Sequence, residues 1–118
     1  MSRGYSHSAA ERQINQFISQ ARTARDRASD SASEAEGAKE AAKQAHTQDK
    51  PAHKQRAARA AHAASIAREE TRKAVEEAKK LLSPGDDGFQ LLDAIMADAE
   101  AASDLAKRHA KEAFKIPP

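Results

Sequence analysis

Between residues 57 and 82 the chain repeats one spacing without interruption. Ala57, Ala60, Ala64, Ala67, Thr71, Ala74, Ala78 and Leu81 follow one another in alternating steps of three and four. An α-helix turns residues so spaced onto one side, because about 3.6 residues complete a turn. The alternation is a heptad seam, the pattern of coiled-coil packing. Nearly every residue on the seam is alanine, so a neighbouring backbone can approach closely. Ala61, Val75 and Leu82 widen the stripe until it can touch two partner helices.

Two further segments carry related patterns. Upstream, Ile14, Phe17, Ile18, Ala21, Ala24, Ala28, Ala32, Ala35, Ala38, Ala42 and Ala45 share one face. Ser8 followed by Glu11 reads as a capping box at the start of that helix. Ser29, Ser31, Ser33 and Gly37 are weaker helix formers and predict a soft spot or break near Gly37. Downstream, Phe89, Leu92, Met96, Ala99, Ser103, Ala106, Ala110 and Ala113 form a third seam, with Leu91, Ile95, Ala102 and Leu105 alongside. Asp49 and Pro51 mark the first turn, where proline fits the opening of a helix. Ser83-Pro84-Gly85-Asp86-Asp87-Gly88 is a stop and restart, with Asp87 and Gln90 as the expected capping pair.

Short connections make sequential helices antiparallel. The expected fold class is all-α: an up-down-up antiparallel three-helix bundle with Ala-rich, coiled-coil-like heptad seams. One domain over 8–118 is predicted, with helices near 8–46, 51–82 and 88–115 behind a disordered N-terminal tail over 1–7. This layout gathers most of the large apolar residues at one end: Ile14, Phe17 and Ile18, then Val75, Leu81 and Leu82, then Phe89, Leu91, Leu92, Ile95 and Met96. The opposite end is lined by alanine. Of 118 residues 29 are alanine, so the core is thin and self-association is an expected source of further burial.

The same layout separates charge. Asp86, Asp87, Asp93, Asp98, Glu100 and Asp104 follow one another with no base between them, at the large-residue end. Lys50, Lys54, Arg56, Arg59, Lys107, Arg108 and Lys111 gather at the alanine end. Helix dipoles account for cations at the ends of the first and third helices. They oppose Lys50, Lys54, Arg56 and Arg59, which crowd a helix N-terminus. Those seven residues form the candidate partner-binding surface, suited to an anionic group.

Catalytic motifs are missing: there is no cysteine, no glycine-rich phosphate loop and no Gly-x-Ser-x-Gly. The histidines form neither a His-x-x-x-His nor a Glu-x-x-His pair and are expected to face solvent, so no metal and no cofactor are expected. Residues 1–10 hold no apolar run of a secretory signal, and no stretch is apolar enough to span a membrane. The absence of cysteine suits a reducing cytoplasm. The expected function is a non-enzymatic helical-bundle interaction or assembly module, binding a protein partner or a second copy of itself and no membrane. The alternative is a small basic nucleic-acid-binding protein that uses the ends at 50–59 and 107–115. Its formal net charge of only +2 and its shortage of stacking aromatics weigh against that alternative.

Overall fold

Three helices account for nearly all of the computed structural model, which describes the backbone of residues 2–118 and the side chains of residues 9–118. Helix α1 runs Ser2–Gln44, α2 Lys50–Leu81 and α3 Asp87–Phe114. A single 3-10 turn, Thr47–Asp49, joins the first two. Each helix packs on the other two. The rod measures 69 × 21 × 15 Å, and α1, at 43 residues, spans about 65 Å of its length by helical rise. The all-α, up-down-up bundle expected from the spacing is the observed fold.

The seams bury as their spacing predicts. On α2, Ala57, Ala60, Ala64, Ala67, Thr71, Ala74 and Ala78 are buried, joined by Val75. Leu81, expected to close that seam, is instead exposed, because α2 ends there and the chain turns away. On α3, Leu92, Ala99, Ser103, Ala106, Ala110 and Ala113 are buried together with Ile95 and His109. Phe89 and Met96 lie half-buried on the flank, so Ile95 takes the central place assigned to Met96. On α1 every alanine of the predicted face from Ala21 to Ala42 is buried.

The core is graded along the rod. At one end Ala21, Ala74, Val75, Ala78, Leu92 and Ile95 cluster, with Phe17, Ile18, Leu82 and Met96 packed against them. In the middle and at the far end the buried hydrophobic clusters are alanine: Ala32, Ala35, Ala60, Ala64 and Ala106, then Ala38, Ala57, Ala110 and Ala113. Small side chains leave little area to bury, so the helices gain mainly from close backbone approach there.

Local expectations fare unevenly. The break expected near Gly37 is absent, and α1 runs through it unbroken. A Cβ at Gly37 would meet only Arg56 Nη2, at 3.9 Å, so no packing demand requires a glycine. Asp49 does not cap α2 with its side chain; its backbone is already helical, which turns the carboxylate away from the first N–H groups. Pro51 stands in the first turn of α2, as expected. The cap of α3 falls on Asp86, not Asp87: Asp86 Oδ1 accepts from the Gly88 N–H at 2.8 Å. The turn fixes that choice. Asp86 N–H donates to the Ser83 carbonyl at 3.0 Å, and Gly85 has φ +88°, closing a turn with Pro84 and Gly85 at its centre. Asp86 is therefore the last non-helical residue. The tail expected over 1–7 and the cap expected of Ser8 lie outside the residues whose side chains are described.

Candidate functional site

Antiparallel packing explains the cations that their own helix dipole opposes. The N-terminus of α2 lies beside the C-termini of α1 and α3, whose last carbonyls carry partial negative charge. Lys50 Nζ donates to the Pro117 carbonyl at 3.1 Å, and Lys54 Nζ donates to the carbonyl of Ile116. These two lysines thus tie the segment after α3 to the start of α2. Arg56 Nε lies 3.0 Å from Glu34 Oε1 on α1, an ion pair across the helices. Three of the seven residues nominated for an external anion therefore already have partners inside the bundle.

The remaining four face solvent. Arg59, Lys107, Arg108 and Lys111 are exposed and take no ion-pair partner among the described residues. Arg59 stands three residues after Arg56 on the same helix. Yet Arg56 turns onto α1 while Arg59 stays in solvent, so the two do not present a joint grip. Nor is the Lys54 ammonium free to join Lys111, since a backbone carbonyl holds it.

The alanine end is also less uniformly basic than the cluster of seven suggests, because the last turns of α1 bring acids to it. Lys39 is buried, 7% exposed, with its Nζ 3.4 Å from Glu112 Oε2 and 3.7 Å from Glu40 Oε1. Lys43 lies 3.2 Å from Glu40. His109, expected in solvent, is buried in the α1–α3 contact, with Nε2 3.5 Å from Glu36 Oε2 and no hydrogen-bond partner on either ring nitrogen. Sequence reasoning missed Lys39 and His109 because both flank a seam instead of standing on it. Their spacing from the neighbouring alanines, Lys39 beside Ala38 and Ala42 and His109 beside Ala106 and Ala113, is the signal that could have found them.

The acidic end is partly compensated too. Lys79 at the end of α2 binds Asp93 and lies 5.6 Å from the centre of the Phe89 ring. Arg25 Nη1 on α1 comes within 3.9 Å of Asp98 Oδ2. On the exposed side of α2, Arg72 joins Glu69 and Glu76, and its hydrogen bonds hold the Glu69 carboxyl below the usual range. Between α1 and α2 a shallow groove of about 420 Å³ is lined by Phe17, Thr23, Ala24 and Ala74, with Arg27 and Glu70 bridged at 2.7 Å. No cluster of three or more metal-ligating side chains occurs among the described residues. Among them, no helix is long and apolar enough to cross a membrane.

The fold is an all-α three-helix bundle with alanine seams. No protein-family model, no curated protein and no solved structure matches the chain.

Proposed function

We propose that this chain is a non-enzymatic interaction or assembly module, a rigid rod that presents helix faces to a protein partner or to a second copy of itself. One observation carries the proposal: after three seams are closed, large apolar residues still stand in solvent on regular helix. Ile66 is 49% exposed, and Leu91 and Leu105 are 37% exposed each. Apolar residues placed in rows on a rigid surface are what helix–helix recognition uses. We propose that the module works in a reducing cytoplasm, a compartment that a cysteine-free sequence suits.

Nucleic-acid binding is the competing function. It loses Lys50, Lys54 and Arg56 to internal partners but retains Arg59, Lys107, Arg108 and Lys111. A gel shift with random duplex and single strand at about 150 mM salt separates the two, because phosphate contacts weaken steeply as salt rises. No shift is expected at tens of micromolar protein. A salt-sensitive shift that Arg59→Glu with Lys111→Glu abolishes, at unchanged helicity, would replace the assembly module with a nucleic-acid-binding protein.

A further inference from the structure

We infer that the outward side of α3 is the face on which a second copy of this chain docks, antiparallel, about a twofold axis near Asp98. The inference rests on the assembly function proposed above and names its partner. Leu91, Ala94, Asp98, Ala101 and Leu105 are all exposed. They follow in steps of three, four, three and four, the same alternation that marks the buried seams. It is a fourth seam, exposed along its length, with Arg25 of α1 beside Asp98.

The order of residues on that seam selects the partner. It reads alike in both directions: leucine at each end, alanine inside, aspartate in the middle. Turning a copy end for end lays Leu91 near the partner's Leu105 and Ala94 near the partner's Ala101. A twofold contact requires such self-complementarity.

Charge selects the orientation. The first turns of α3 carry Asp86, Asp87 and Asp93, and its last turns carry Lys107, Arg108, Lys111 and Lys115. Asp87 and Arg108 lie at nearly equal distances on either side of Asp98, about 16 Å by helical rise. Antiparallel pairing brings each Asp87 to the partner's Arg108. Parallel pairing would set like charges together along the whole helix. Asp98, on the axis, has Arg25 within 3.9 Å as a counter-charge from each copy. The same pairing gives Arg108 an opposite charge, which it lacks among the described residues of its own chain.

Mass in solution tests this on the full chain, by light scattering from about 1 to about 300 μM at low salt. The expected result is a shift from 12.7 kDa toward twice that mass. Leu91→Glu with Leu105→Glu should raise the dissociation constant by more than about thirtyfold, since each leucine would lose its apolar partner across the contact and bury a charge in its place. Circular dichroism checks that helicity is retained. Asp87→Arg alone should weaken pairing, and adding Arg108→Asp should restore it. A chain that stays at 12.7 kDa throughout overturns the pairing. So does a dimer indifferent to all four changes. Neither result bears on assembly with a different protein, and the gel shift separately decides the nucleic-acid reading.

Discussion

Ser103 shows what a single buried residue does in so thin a core. Its hydroxyl is fully buried on the α3 seam and has no hydrogen-bond partner. Thr71 holds the equivalent place on α2, but its Oγ1 donates to the Ala67 carbonyl at 2.8 Å. An unsatisfied buried hydroxyl costs about 1–3 kcal/mol, so Ser103→Ala should stabilise the bundle by about 1 kcal/mol. Thr71→Ala should destabilise it by a similar amount, having lost a satisfied bond and a methyl. Urea unfolding of both variants checks the opposite signs. Gly37 permits a second residue-scale prediction. It sits in continuous helix with open space around its missing Cβ, so Gly37→Ala should add about 0.5–1 kcal/mol by restricting the unfolded chain. Gly88→Ala should gain less: its Cβ would fall 2.8 Å from Leu82 Cδ1, and Leu82 must shift to admit it. Thermal melts should therefore rank Gly37→Ala above Gly88→Ala.

Among the elements, α2 is held by two kinds of charge. At its start Lys50 and Lys54 hold the backbone that leaves α3, while along its exposed side Arg72 bridges Glu69 and Glu76. The second arrangement predicts a pH dependence. The Glu69 carboxyl lies below its ordinary value first because it accepts hydrogen bonds from Arg72, against a smaller opposing effect of burial. A group depressed in the folded state stabilises it fully above the unfolded-state value, and that contribution is lost as pH falls through the folded one. Helicity of α2 should therefore weaken only in acid, below the usual carboxylate range. Carbon-detected titration should place the Glu69 midpoint low, and Arg72→Gln should move it upward. Both groups are exposed, so added salt should shrink the difference.

For the whole molecule the governing fact is the graded core. Leu92 and Ile95 lie at the acidic end, and alanine fills the rest. Leu92→Ala should cost about 2–5 kcal/mol, and Ala42→Ser at the other end far less. Amide exchange should be slower over residues 75–96 than near residues 42 and 57. Equal protection at both ends would show that stability is not graded with side-chain size. The spacing of apolar residues determined the number of helices, their order and which face each one buries, because a period of three and four admits one geometry and short turns admit one direction. Pro51 and the stretch from Ser83 to Gly88 marked the connections for the same local reason. Tertiary structure alone decided where the flanking charges go. Lys39 and His109 are buried, Lys50 and Lys54 are turned onto backbone carbonyls, and Arg56 lies across to Glu34, because long side chains beside a seam reach whatever the neighbouring helix sets opposite them. That register is a property of the packed bundle, and no spacing within one helix contains it.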